Sequence, residues 1–311
     1  MKIVTAEFVN PVRVEPLARL MAASKRYGKT LALDAVDLEV HAGEVLGLLG
    51  PNGAGKTTAI SLLLGLLQAD AGSATVFGAA PRSLASRRRI GAMLQTTAVP
   101  EALTVGELIA LFRSYYPHPR ALADIAELAG VGDLLKRRYG KLSGGQQRRV
   151  QFALALAGNP EILFLDEPTT GLDIEARATL WKTIRQLVAD GCAVVLTTHY
   201  LEEAEALADR VCVLAHGRIV AEGSVSAIRG RVSQRRVRCI STLTSETILG
   251  WPHVRSVVRD GERIEIVTDA AEAVVRQLLL ADAGLSELEV HRAGLAEAFV
   301  EITREVEATA A

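Results

Sequence analysis

The chain has 311 residues, a formal net charge of -1, 49% hydrophobic and 23% charged residues, and a mean hydropathy of +0.23. The apolar surplus suits a folded core and excludes a disordered chain, and the near-neutral charge counts against a dedicated nucleic-acid binder. A spanning helix needs about 20 consecutive apolar residues, whereas charge-free stretches such as Thr57 to Ala69 run about 13 and carry Thr, Ser and Gly, so no spanning segment is expected.

Residues 1–16 read as an N-terminal arm without the long apolar run of a signal peptide. Strands are predicted at Ala18–Ala23, Leu31–Val40 and Val45–Leu49. The last is a short apolar run ending in Gly50, the pattern of a buried central strand. A helix is predicted from Gly55 or Lys56 to about Leu67, and helical patterns dominate from Thr104 to about Gly158. Strands return at Ile162–Leu165 and Ala193–Thr197, with a helix from about Glu175 to Ala189 between them. This alternation predicts an α/β fold with a mostly parallel sheet. Composition shifts at the basic stretch Arg229 to Arg238, which reads as a solvated connector or as a contact for acidic headgroups or a membrane partner. After it come a strand, a hairpin at Asp260-Gly261, a helix over Ala271–Ala283, a strand near Leu288–His291 and a helix from Leu295. Residues 231–311 are therefore expected to form a small α+β domain. Cys192, Cys212 and Cys239 lack metal-ligand spacing and fit ordinary burial in a reducing compartment.

Three segments carry chemistry. Gly50-Pro51-Asn52-Gly53-Ala54-Gly55-Lys56-Thr57-Thr58 fits G-x-x-x-x-G-K-[ST] between a strand and a helix. Backbone N–H groups and the helix start cradle phosphate there, Lys56 reaches the β/γ-phosphates and Thr57 offers a hydroxyl to Mg²⁺. Ile162-Leu163-Phe164-Leu165-Asp166-Glu167 delivers two carboxylates at a strand end: Asp166 for Mg²⁺, and Glu167, pointing elsewhere, as a base for water. Leu142-Ser143-Gly144-Gly145-Gln146 opens a helix and makes a second anion site, which has a use if it serves the nucleotide of a neighbouring subunit.

With these motifs in this order the chain, over residues 17–230, resembles the nucleotide-binding subunits of the ATP-binding cassette (ABC) transporter family. The resemblance implies a P-loop NTPase cassette with an antiparallel N-terminal β part and a helical subdomain over residues 96–158. It implies that Tyr27 stacks on adenine, that Gln95 touches Mg²⁺ or the attacking water, and that Ser143 and Gly145, with Gly144 and Gln146, meet the γ-phosphate held by the other subunit. Asp173, also a natural N-cap for the helix at Ile174, would align that subunit's site. His199 would contact the γ-phosphate and orient Glu167 and water. The implied cofactors are ATP and Mg²⁺. The implied partners are a second copy of the chain, closed over two ATP molecules, and a separate transmembrane permease, which places the chain peripherally at the cytoplasmic face of the membrane; the loop from Gln95 to Pro100 and the helices that follow it would dock that permease. No nucleic-acid partner is expected.

The length, the C-terminal domain and the closing helix from Leu295 to Thr303 resemble stand-alone ATPases of multidrug and antibiotic exporters. Three alternatives stand beside this: an importer ATPase, a soluble ABC protein unconnected with transport, and an ATP-gated regulator. One phosphate loop, one signature and no heptad run count against the second, and an intact Glu167 and His199 against the third.

Overall fold

A computed structural model of the chain describes residues 15–95, 98–230, 235–292 and 294–310. The expected arm at residues 1–16 lies almost wholly outside the described residues, as do residues 231–234 of the basic stretch and residues 96–97 of the expected docking loop. The chain divides into two units. The first comprises Met1–Leu46, Asn52–Thr197 and His216–Arg218; the second comprises Gly47–Pro51, Thr198–Ala215 and Ile219–Ala311.

The first unit begins with β1 (Ala18–Tyr27) and β2 (Thr30–Val40), followed by β3 (Val45–Leu49), through which the division between units passes. Then come α1 (Lys56–Leu63), β4 (Ala71–Val76), α2 (Leu84–Arg87) and β5 (Ile90–Met93). Helices α3 (Val105–Arg113), α4 (Leu122–Leu128) and α5 (Gly144–Leu156) precede β6 (Ile162–Asp166), α6 (Ile174–Ala189) and β7 (Ala193–Thr197). Strands β2, β1 and β4 form an antiparallel sheet in that order. Strands β5, β6 and β7 are neighbours and run parallel. Every residue of β6 and β7 is buried, which is why both read as unbroken apolar runs rather than alternating ones.

Three expectations need adjusting. Strand β1 continues to Tyr27 instead of stopping at Ala23; a bulge with Ala22 at φ 43° breaks the period-two pattern midway. Helix α1 stops at Leu63 instead of Leu67. Gly65, at φ 66°, lets its N–H reach the Leu62 carbonyl while the Leu66 N–H reaches that of Ser61, a Schellman ending. The helical stretch over Thr104–Gly158 resolves into α3, α4 and α5 with 3₁₀ turns at Gly132–Leu134 and Tyr139–Lys141. Pro117, Pro119 and Gly130 fall in the breaks, where proline lacks a donor and Gly130 adopts φ 60°.

The second unit holds α7 (Leu201–Leu207), β8 (Arg210–Ala215), most of β9 (Arg218–Ser224) and α8 (Val225–Gly230). It continues with β10 (Arg235–Ile240), α9 (Ser245–Leu249), β11 (Val254–Asp260), β12 (Arg263–Thr268), α10 (Ala271–Ala281), β13 (Ser286–Arg292) and α11 (Leu295–Ala310). An antiparallel sheet runs β11-β12-β10-β13, with β11 and β12 joined through Gly261 at φ 60°, the expected Asp-Gly hairpin. Val237, Cys239, Ile248, Ile264, Ile266, Val274 and Leu278 form its core. Leu295, Ala298 and Ile302 of α11 belong to another cluster, with Ala204, Val211, Val213, Ala221 and Ile228.

Candidate functional site

Helix α1 starts without a side-chain cap and with no acidic residue in its first turn. No side chain of the helix itself caps this start or neutralises its positive end, which suits an anion site. Gly55 occupies the N-cap position at φ 109°, a conformation open to glycine and strained for residues with a Cβ. Lys56 follows, partly buried; burial lowers its pKa, and the nearby carboxylates of Glu167 and Asp166 pull it back up.

A cavity of about 500 Å³ is lined by Tyr27, Ala32, residues Asn52 to Thr58, Gln95, Asp166 and Glu167. Residues from five separate places in the sequence thus meet around one space. Tyr27 is 49% exposed, which leaves its ring free for stacking.

The parallel register of β6 and β7 sets Asp166 directly beside Thr197. Both are buried, and the Thr197 hydroxyl donates to Asp166 Oδ1. Glu167 leaves the strand in a left-handed conformation at φ 50°, and its N–H donates to the Thr197 carbonyl at 3.0 Å. A non-glycine residue held there costs about 1 kcal/mol or more and persists where its surroundings over-determine it. Arg148, 9% exposed, donates to the carbonyl oxygens of Asp166 and Glu167, each at 2.6 Å. Neither Thr197 nor Arg148 was marked by the sequence reading. Their signal is the pairing register and a helix-to-strand contact, which no linear motif contains.

The second anion site forms at the start of α5. Ser143 caps the helix, its hydroxyl oxygen accepting from the Gln146 N–H at 3.3 Å while Gln146 Oε1 accepts from the Ser143 N–H at 3.1 Å. Gln146 is thus engaged in a capping box, and the N–H groups of Gly144 and Gly145 remain at the open helix end. A Cβ on Gly145 would stand 2.9 Å from the Gly171 carbonyl oxygen, so only glycine lets the two segments approach so closely. Asp173, two residues on, caps α6 by accepting from the Ala176 N–H at 2.8 Å, as expected. Ser143 to Gln146 and Asp173 do not line the cavity.

Gly50, Pro51 and His199 fall in the second unit. His199 follows β7 by two residues, with its ring centroid 4.0 Å from that of Tyr200.

The charge inventory suits a hydrated divalent ion. Thr57, Gln95 and Asp166 line the same cavity, and their side chains carry a hydroxyl, an amide carbonyl and a carboxylate, all hard oxygen donors. Among the described residues no cluster of three His, Cys, Asp or Glu side chains stands ready to cage an ion alone. Mg²⁺ needs no such cage, because it keeps waters and takes phosphate oxygens.

Comparison with known proteins places these features in context. A family model described as ABC transporter matches residues 33–170. The chain is 38% identical over 298 residues to the Nod factor export ATP-binding protein I of Rhizobium sp. (strain N33), covering 93% of this chain and 97% of that protein. It is 38% identical over 296 residues to a daunorubicin resistance ATP-binding protein of Streptomyces coeruleorubidus, covering 90% and 94%. A solved dimeric structure of a bacterial ABC transporter cassette superposes with a TM-score of 0.61 at 27% identity, over 67% of this chain and 98% of that one.

Proposed function

The chain belongs to the ABC transporter family of ATP-binding subunits, and on that premise we propose that it hydrolyses ATP to drive export of a drug-like or lipid-like substrate through a separate membrane permease. The single observation that carries this reading is the convergence of the phosphate loop, Gln95, Asp166 and Glu167 on one cavity. Export, rather than import, is supported by relatives named for Nod factor export and for daunorubicin resistance. We assign the ATPase to residues 17–230 and leave residues 231–311 as an appended α+β segment.

We assign the residues the following parts. The N–H groups of the loop and of the α1 start bind the β-phosphate region, and Lys56 adds a cation beside the γ-phosphate. Tyr27 stacks on the adenine ring. Thr57, Asp166 and Gln95 hold Mg²⁺, which when bound neutralises charge on the phosphate oxygens. Glu167 accepts a proton from the water aligned with the γ-phosphate, and His199 helps orient both. Ser143 and the N–H groups of Gly144 and Gly145 bind the γ-phosphate held by the other copy, and Asp173 meets that copy at the junction.

ABC cassettes form dimers, and a cassette of this fold has been solved as one. Two copies of this chain then enclose two ATP molecules, and ATP favours closure because it binds the closed dimer better than the open one. Hydrolysis removes the γ-phosphate contact and lets the dimer reopen. In this reading the permease is another polypeptide and the chain sits peripherally at the cytoplasmic face of the membrane; among the described residues no helix is long and apolar enough to cross a membrane.

Sedimentation tests the sandwich. Glu167→Gln with ATP should run as a dimer holding two nucleotides and return to monomer when ATP is removed. A variant that binds ATP and stays monomeric at every concentration overturns this arrangement.

A further inference from the structure

We propose that Arg148 is a positioning residue: from the second turn of α5 it fixes the backbone that aims Gln95, Asp166 and Glu167, and so ties the signature helix to the hydrolytic group of its own chain. The inference rests on the function proposed above and adds a residue that no motif points to.

The guanidinium is 9% exposed and its bonds converge on backbone. Nη2 donates to the carbonyls of Asp166 and Glu167, both at 2.6 Å. Nη1 donates to the Leu94 carbonyl at 3.2 Å and to Gln151 Oε1 at 3.0 Å. Leu94 immediately precedes Gln95. One side chain therefore holds the main chain at both carboxylate residues and next to the glutamine. Gln151 is itself placed by a 2.9 Å bond from its Nε2 to the Tyr139 hydroxyl, so the guanidinium approaches on a fixed line.

The backbone at Glu167 explains why a fork is needed. In a regular strand, successive carbonyls point to opposite edges. At φ 50°, Glu167 turns away from the strand, and its carbonyl and that of Asp166 reach one nitrogen. The planar guanidinium spans three carbonyls, which the point charge of a lysine does not. The burial costs charge stability: desolvation lowers the Arg148 pKa, and the carboxylates of Asp166 and Glu167 oppose that shift. Since α5 is capped by Ser143, to which the proposed function gives the nucleotide of the opposite copy, a shift of this helix on dimer closure would be transmitted through Arg148 to the aim of Glu167.

The 311-residue chain is compared with Arg148→Lys, Arg148→Met and the milder Gln151→Met, which leaves the guanidinium but removes the group that aims it. Three quantities are read: Kd for Mg·ATP, kcat for hydrolysis, and hydrogen exchange of peptides covering residues 164–170. The account expects Arg148→Lys to keep Kd within about threefold, to lose at least ~10-fold in kcat, and to exchange faster over 164–170 with no change over 193–196. Gln151→Met should fall between it and the wild type. Loss of kcat and ATP binding together, in proportion to the unfolded fraction, would show a plain structural role and overturn the inference. So would unchanged kcat and exchange in Arg148→Lys. Should Arg148→Met not fold, the other two variants decide. A wild-type chain that hydrolyses no ATP defeats the proposed function instead, and the exchange comparison still decides whether Arg148 holds this segment.

Discussion

Thr197 meets Asp166 only because β6 and β7 are paired in one particular parallel register. Its hydroxyl is the donor that fixes the carboxylate, and replacing it leaves a buried oxygen without that partner. Thr197→Val keeps the shape of the side chain. It should cost about 1 kcal/mol in chemical denaturation and lower Mg²⁺-dependent hydrolysis more than ATP binding; an unchanged rate would remove Thr197 from the site. Lys56 gives a second prediction. In the nucleotide-free chain its pKa lies below the ordinary 10.5 because burial disfavours the charge. The unfolded chain therefore holds this proton more tightly, so the group's contribution to stability rises with pH through the window below 10.5. A triphosphate beside Lys56 raises its pKa again, so nucleotide binding should take up protons at any alkaline pH where the free chain has begun to lose this one. Calorimetry in two buffers of different ionisation enthalpy reads this, and Lys56→Met should abolish it; enthalpies independent of buffer would contradict it. The phosphate loop, Asp166 and Glu167 were legible in the sequence because each combines residue type with fixed local spacing. Thr197 and Arg148 were not, since their roles arise from pairing between segments 31 and 18 residues apart.

Among the elements, α5 shows most clearly how a short motif becomes a working part. Its capping box uses Ser143 and Gln146, and its Gly145 lets the helix start touch the Gly171 carbonyl. Gly145→Ala would gain about 1 kcal/mol of helix propensity. Its Cβ would also push against a backbone oxygen 2.9 Å away, displacing the turn that leads to Asp173. The expected result is a thermal midpoint near that of the wild type with ATP-driven dimerisation weakened at least ~10-fold, as sedimentation would show. Dimerisation as tight as in the wild type would mean that the close approach has no part in it. The buried parallel strands β6 and β7 were read correctly because a strand covered on both faces is apolar throughout. Strands β4 and β5, by contrast, went unmarked: AGSATV carries two weak strand formers at its start, and IGAM is four residues with a glycine inside. Gly91 in β5 has a physical reason, since a Cβ there would lie 2.3 Å from the Ala155 carbonyl of α5.

At the scale of the whole chain, the high mean hydropathy finds its place in the fully buried β3, β6 and β7 and in the core of the second unit. The three cysteines form no disulfide and are buried, and burial pushes the Cys192 thiol up to about 12. The native protein should therefore resist alkylation at neutral pH, and all three thiols should react once it is unfolded; rapid modification of the folded chain would contradict that burial. A cavity of about 390 Å³ on the small sheet has both of its arginines paired, Arg238 with Glu265 and Arg263 with Glu287, and adds the carboxylates of Asp260 and Glu289, so it offers no cation for a phosphate. The cavity beside α1 brings a helix start, Lys56 and the carboxylates of Asp166 and Glu167 around one open space. Phosphate release from Mg·ATP by the purified chain, alone and with the permease proposed for it, tests this most directly. The account predicts turnover by the wild type and a rate roughly 10²-fold lower for Glu167→Gln, with ATP affinity preserved. No hydrolysis under either condition, or full turnover by Glu167→Gln, would contradict it.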